Sequence, residues 1–122
     1  MQLHFVGNIL STNMKVIGST VPEYLDALID TGAFKTGIPF PDCQNLEYQG
    51  VHPTSGLFGS ESLPLFKCRI ELETGDTHKL EILGLPLSEP LIGRDILSKY
   101  ELDIDFPGRT ATARRTWLDL PR

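Results

Sequence analysis

Cysteine is scarce in this sequence. Cys43 and Cys68 are the two cysteines among 122 residues. Two isolated thiols provide neither the sulfur ligands of a structural zinc site nor the framework of a disulfide-stabilised secreted domain. We therefore expect free thiols in a reducing compartment, with no metal and no cofactor.

Long apolar runs and basic clusters are scarce as well. The stretch 1–10 has neither a basic start nor an apolar segment long enough for a signal peptide or a membrane span. The net charge of −5 argues against a nucleic-acid surface, and the basic cluster Arg109, Arg114 and Arg115 contains no interleaved aromatic residue. The sequence predicts a soluble, cytoplasmic protein that binds neither membrane nor nucleic acid.

Helical periodicity is absent over any long window, whereas glycine and proline recur throughout the chain. With 122 residues and 40% hydrophobic content, we expect a single domain, 1–122, built around one core. Short strands are predicted around Leu3 and Phe5 and at Val16-Ile17, separated by turns at Gly7-Asn8 and at 11–13. These patterns favour an all-β fold.

The clearest hairpin is predicted between Leu46 and Leu72. Its returning arm alternates between apolar and charged residues, with Phe66, Cys68, Ile70 and Leu72 on the apolar face. The segment Pro53-Thr54-Ser55-Gly56 contains a proline that presets φ and a glycine that permits positive φ, so we predict the turn there.

Other elements follow from the same rules. Residues 79–83 alternate as a strand, and residues 102–106 and 110–113 are predicted to form a second hairpin around Pro107-Gly108. The single predicted helix spans Arg94–Tyr100, about two turns, with its apolar residues spaced to face inward.

A carboxylate follows an apolar run in the segment Ala27-Leu28-Ile29-Asp30-Thr31-Gly32-Ala33. The run is typical of a buried strand, and Gly32 permits a tight turn in which the Asp30 carboxylate is held in place. One aspartate alone is a poor proton relay near neutral pH, because its unperturbed pKa is about 3.9. Two carboxylates about 3 Å apart share one proton, so that one can activate water while the other protonates a carbonyl.

A second Asp-Thr-Gly is missing, since neither Asp103 nor Asp105 is followed by Thr-Gly. A catalytic partner for Asp30 must therefore come from another chain. The sequence predicts a homodimer in which the two copies of Asp30 meet at the symmetry axis.

The segment 27–33 and the later segment Pro90-Leu91-Ile92-Gly93-Arg94-Asp95-Ile96-Leu97 together resemble the two markers of the retropepsin-like aspartic proteases. The resemblance covers roughly residues 25–104. It implies a closed-barrel-like, all-β acid-protease fold with one short C-terminal helix. It also implies a homodimeric aspartic endopeptidase that acts on a polypeptide substrate without metal or cofactor.

The resemblance also implies roles for individual residues. Asp30 would be catalytic, Thr31, Gly32 and Ala33 would support its loop, and Thr31 would bond across the dimer axis. The hairpin 46–72 would be the flap over the substrate, and Gly93 would pack against the active-site strand. The flap residues near substrate would be His52, Pro53, Thr54, Ser55 and Gly56, and the structural second motif would be Gly93, Arg94 and Asp95.

One position departs from the family pattern. Members usually carry an acidic or hydroxylated residue directly after the alanine, where this chain has Phe34. In viral members that polar side chain can bond the substrate backbone and pair with the arginine of the second motif. Its replacement leaves the roles of the subsites and of Arg94 open.

Two further hypotheses differ from a protease. An aspartate at a turn commonly bonds only its own backbone, so a catalytically silent dimeric peptide-binding module on the same fold stays open. Phosphoryl transfer through an aspartate nucleophile requires a phosphate-binding loop and magnesium carboxylates on an α/β sheet. The sequence has no such loop and no alternating β/α pattern, so this chemistry is not expected.

Overall fold

The computed structural model describes residues 1–56 and 59–116, with the backbone alone for 54–56 and 59–61. Within these ranges the chain forms ten strands, one α-helical turn and one 3₁₀ turn, which confirms the predicted all-β class. The α-helical turn is α1 (Arg94–Leu97) and the 3₁₀ turn spans Phe40–Cys43. The strands are β1 (Gln2–Val6), β2 (Ile9–Ile17), β3 (Tyr24–Ile29), β4 (Gly37–Pro39), β5 (Glu47–Gly56), β6 (Gly59–Leu72), β7 (Thr77–Leu85), β8 (Leu91–Ile92), β9 (Tyr100–Asp105) and β10 (Thr110–Arg115).

The strands form one sheet in the order β5-β6-β7-β4-β8-β3-β2-β1-β10-β9. Most neighbours are antiparallel, whereas β3 pairs with β8 and β4 pairs with β7 in parallel. An additional antiparallel pairing joins β6 to β2, so the six strands from β6 to β2 follow one another in a closed cycle of pairings. The fully buried side chains of the core include Met14, Ile38, Ile70, Ile82, Ile92 and Ile96.

Strand β2 is longer than the sequence predicts. The turn expected at 11–13 is wrong, because Ser11 and Thr12 are buried inside the strand at 2% and 0% exposure. The pairing of β2 with β3 shifts register between Thr12 and Met14. A bulge accommodates the polar residues without ending the strand, and β-branched threonine suits the pleated surface.

The hairpin predicted between Leu46 and Leu72 is present as β5 and β6, but its turn is not where the sequence indicates. Pro53 pairs with Ser62 and Gly56 pairs with Gly59, so the connection falls at 57–58, outside the described residues. Pro53 is tolerated within a strand because β5 lies at the edge of the sheet. The apolar face predicted for the returning arm is buried as expected.

The helix after Gly93 is shorter than predicted. It ends at Leu97 instead of Tyr100, because Tyr100 already begins β9 and pairs with Arg115 of β10. Ile96, Leu97 and Tyr100 are nonetheless buried, as their spacing predicts. In the part of the chain that is described, no helix has the length and apolar character needed to cross a membrane.

Candidate active site

Two parallel strands fix the backbone at Asp30. Strand β3 ends at Ile29, and the Asp30 N–H donates to the Ile92 carbonyl of β8 at 3.0 Å. Two residues before Asp30, the Leu28 N–H donates to the Pro90 carbonyl at 3.1 Å. The point at which the apolar run ends is therefore bound to the segment that carries the second motif.

The Asp30 carboxylate is held by its own loop. Its Oδ1 atom accepts the Gly32 N–H at 3.0 Å, and the Asp30 carbonyl accepts the Ala33 N–H at 3.2 Å. A Cβ at Gly32 would lie 3.3 Å from Oδ1, so a small residue keeps this carboxylate in its position. The Asp30 side chain is half-buried, and the neighbouring Thr31 is exposed to solvent.

The second motif packs directly against this loop. A Cβ at Gly93 would lie 2.6 Å from the Lys35 carbonyl carbon and 2.9 Å from the Ala33 carbonyl oxygen. Both are backbone atoms that a side chain could not displace, so glycine is required for the contact. Directly after it, the Arg94 N–H donates to the Ala33 carbonyl at 2.8 Å.

A partly buried hydrogen-bond network links the loop to α1. The Thr36 hydroxyl donates to Asp95 Oδ1 at 2.7 Å, and the Thr36 N–H contacts both carboxylate oxygens at 3.0 and 3.1 Å. The same hydroxyl oxygen accepts the Gly93 N–H at 3.0 Å. Sequence reasoning named Asp95 but missed Thr36, because the two residues lie far apart in the chain and no local pattern pairs them.

Arg94 and the hairpin meet at Phe34. The Arg94 guanidinium carbon lies 5.6 Å from the centre of the Phe34 ring, a cation–π contact. The His52 ring of β5 is stacked on Phe34 at 6.5 Å between centres, with an angle of 3° between the planes. Of the residues named for the flap, His52 therefore lies near the Asp30 loop. Pro53 is exposed, and the side chains at 54–56 lie outside the described part of the structure.

A surface groove lies beside β3. Leu28, two residues before Asp30, lines it together with Pro90. Acidic and apolar side chains complete its walls: Glu23, Asp26, Glu89, Val6, Ile9, Tyr24 and Leu25, with Ser11. The groove is concave and partly apolar, and its lining residues do not include the Asp30 loop itself.

The two cysteines do not have the properties of nucleophiles. Both are free and buried, and burial raises the pKa of Cys43 to about 11 and that of Cys68 to about 12. The reactive form of cysteine is the thiolate, so these thiols are unreactive near neutral pH. Among the described side chains, no three from His, Cys, Asp or Glu are placed to share a metal ion.

A second polar cluster lies apart from Asp30. The Tyr100 hydroxyl donates to Asp76 Oδ2 at 2.8 Å, so its oxygen must accept from Nε2 of His78 at 2.9 Å. Among the described residues, Nδ1 of His78 is then a buried acceptor that has no hydrogen-bond partner. Burial, followed by the charges of Arg115 and Lys99, lowers the pKa of His78.

The all-β fold is similar to that of a protease of known structure, in line with the retropepsin-like fold that the sequence predicts. A solved structure with this fold is the solution structure of simian foamy virus (mac) protease. The two superpose with a TM-score of 0.56 at 16% sequence identity, over 72% of this chain and 91% of that one. No protein-family model and no curated protein sequence matches this chain.

Proposed function

We propose that this chain is an aspartic endopeptidase that hydrolyses peptide bonds with two Asp30 carboxylates, one from each subunit of a homodimer. The observation that carries the proposal is the way in which Asp30 is held. Its backbone is bound to β8, and its carboxylate accepts one N–H of its own loop. A hydrogen bond from the Gly93 N–H to the Thr36 hydroxyl oxygen holds the loop against the second motif. Such preorganisation is what acid–base chemistry requires of a carboxylate.

A comparison within the chain supports this interpretation. Asp105 makes a similar local bond, since its Oδ1 accepts the Gly108 N–H at 3.0 Å. Asp105, however, is exposed at the end of the edge strand β9. Asp30 differs because β8 binds its backbone and the partly buried hydrogen bonds among Thr36, Asp95 and Gly93 hold its loop. A simple turn requires only the local bond.

The proposed reaction needs both carboxylates. A water molecule between them would lose a proton to the ionised Asp30 and attack the peptide carbonyl carbon, while the protonated Asp30 would donate its proton to the carbonyl oxygen. The resulting tetrahedral intermediate would collapse with protonation of the leaving amine. In this scheme two chains with the retropepsin-like, closed-barrel-like fold would form the dimer. The exposed Thr31 of each chain would form a hydrogen bond across the two-fold axis.

The substrate in this proposal is an extended polypeptide. It would lie between the Asp30 loop and the β5–β6 hairpin, which acts as the flap, with side chains entering grooves such as the one beside Leu28. Neither a metal nor a cofactor takes part. The main competing function is a catalytically silent peptide-binding dimer, which the local bond between Asp30 and Gly32 would equally suit.

Cleavage of an unstructured polypeptide by the purified chain tests the proposal. We expect cleavage that a statine-containing peptide inhibits, with activity that rises and falls between two macroscopic pKa values of the carboxylate pair. The optimum should be acidic to mildly acidic. Binding of the statine peptide without any cleavage would favour the silent module.

Asp30→Asn separates folding from chemistry. The amide keeps the shape and can still accept the Gly32 N–H, so the melting temperature should change little while turnover is lost essentially completely. Asp105→Asn is the matched control, because it alters an aspartate with the same local bond outside the proposed site. Equal activity in both variants would refute the role of Asp30.

A further inference from the structure

Phe34 has an unusual environment for a large apolar residue. Its side chain is 66% exposed, yet both a cation and an aromatic ring are placed against it. The Arg94 guanidinium lies 5.6 Å from the ring centre, and the His52 ring is parallel to it at 6.5 Å. A residue that is so exposed is not part of the core of the single chain, and the described contacts of its ring are those with Arg94 and His52.

Three separate segments meet at this ring. Phe34 follows Asp30 by four positions on the candidate catalytic loop, Arg94 begins α1, and His52 belongs to the outgoing arm of the hairpin. Among the described residues, Arg94 forms no ion pair with a carboxylate. Its cation is therefore free to rest on the ring face, which carries the negative part of the aromatic quadrupole.

The place of the hairpin in the sheet leaves a role for such a contact. Strand β5 is one of the two edge strands and, among the described residues, pairs with β6 alone. Pairing with β6 sets the register of the two arms but does not set how the β5 arm lies relative to the Asp30 loop. A contact between a β5 side chain and the loop can set that position.

We infer that Phe34 is a positioning residue that fixes the β5 arm of the hairpin against the Asp30 loop by stacking on His52, while Arg94 of α1 holds the ring through its guanidinium. The contact takes the place of the polar contacts expected at this position. Its effect on peptide cleavage rests on the proposed function, whereas its effect on the hairpin does not.

Hydrogen exchange of the β5 amides tests the inference without any reference to activity. Mass spectrometry of peptides from 47–53 would compare wild type with Phe34→Leu, which keeps an apolar side chain but removes the ring. Exposed ring contacts of this kind correspond to a factor of about three to ten in an opening equilibrium, so exchange should accelerate by that factor. The melting temperature should change little, because the side chain is mostly exposed.

Two control variants sharpen the test. Phe34→Tyr keeps the ring and should exchange like wild type. Phe106→Leu removes a phenylalanine of similar exposure, 61%, whose described ring contact is with Phe5, and should leave the β5 amides unchanged. Unchanged exchange in Phe34→Leu, or equal acceleration in either control, would overturn the inference.

A double variant checks that Phe34 and His52 act through one contact. His52→Ala should accelerate exchange about as much as Phe34→Leu, and the two changes together should have no larger effect than either alone. Independent, multiplicative effects would contradict a shared contact.

Peptide kinetics connect the contact to function. If the chain cleaves peptides, Phe34→Leu should raise KM by a factor similar to that for exchange, with a smaller change in kcat, because the loosened hairpin holds substrate less well. An unchanged KM in an active enzyme with accelerated exchange would overturn the catalytic part of the inference. Absence of cleavage in wild type, with the exchange pattern as expected, would refute the proposed function and leave the hairpin contact standing.

Discussion

At the scale of single residues, the Thr36 hydroxyl holds the Asp30 loop to α1. It donates to Asp95 and accepts from Gly93, and Thr36 is fully buried. Thr36→Val keeps the shape but leaves the Gly93 N–H without a partner, so we expect the free energy of unfolding to fall by about 1–3 kcal/mol.

Urea denaturation measures this loss, with Thr36→Ser as the control that keeps the hydroxyl. The serine variant loses only a methyl group and should be closer to wild type. A valine variant as stable as the serine variant would show that the hydroxyl bonds contribute nothing net.

His78 should make stability depend on pH. Burial, together with Arg115 and Lys99, lowers its pKa in the folded protein below the usual 6.5, with Asp76 and Asp95 acting in the opposite direction. As the pH falls through about 6.5, the unfolded chain therefore takes up a proton that the folded protein does not. The contribution of neutral His78 is complete above that pH and is lost as the pH falls towards the folded pKa.

The urea midpoint of wild type should therefore decrease between about pH 7 and pH 5. His78→Gln offers an amide N–H to Tyr100 and cannot titrate, so its midpoint should depend less on pH over the same range. Identical slopes for the two proteins would exclude His78 as the cause. Under the proposed function, this loss limits how far into acid the enzyme can work.

At the scale of elements, the close packing of the second motif on the Asp30 loop depends on Gly93. Gly93→Ala forces a Cβ into the Lys35 backbone, and overpacking of this kind costs about 1–3 kcal/mol. Because Arg94 donates to Ala33, the displacement should also move the loop. The free energy of unfolding should therefore fall, and any peptidase activity should fall further.

Gly37→Ala is the variant with which Gly93→Ala should be compared. Its Cβ would meet the Leu85 side chain at 2.7 Å, and a side chain can rotate away where a backbone cannot. Gly37→Ala should therefore be the milder change in urea denaturation. The reverse order would mean that the segment around Gly93 can shift easily.

At the scale of the whole molecule, the proposed chemistry requires a two-fold dimer. Sedimentation of the purified chain at micromolar concentrations should detect it, and activity should fall on dilution as dimers dissociate. An active species that sediments as a monomer at all concentrations would contradict a dyad built from two copies of Asp30.

Mixed dimers give a second test of the same assembly. When wild-type chains exchange with about a ninefold excess of Asp30→Asn chains, about a tenth of the wild-type subunits keep a wild-type partner. Activity per wild-type chain should therefore fall to about a tenth of its value in the absence of the variant. Undiminished activity after complete exchange would show that each subunit works alone.

Local patterns in the sequence were sufficient for the all-β class, most strands, and the loop that contains Asp30. An alternating or continuous apolar run is a property of neighbouring residues, as is the freedom of Gly32 to turn. The same holds for the residues around Gly93, whose apolar approach and glycine are both visible in the chain. These features were predictable because the physics that sets them acts over a few residues.

Tertiary structure decided the features that depend on residues distant in sequence. Strand β5 continues through Gly56, beyond the predicted turn, because Pro53 is tolerated in a strand at the edge of a sheet. Only the order of the strands in the sheet shows that β5 lies at an edge. The helix stopped at Leu97 because Tyr100 pairs with Arg115. Partners for Thr36 and Phe34 became evident only when the fold brought α1 and β5 to the Asp30 loop, since hydrogen bonds and ring contacts depend on distance in space.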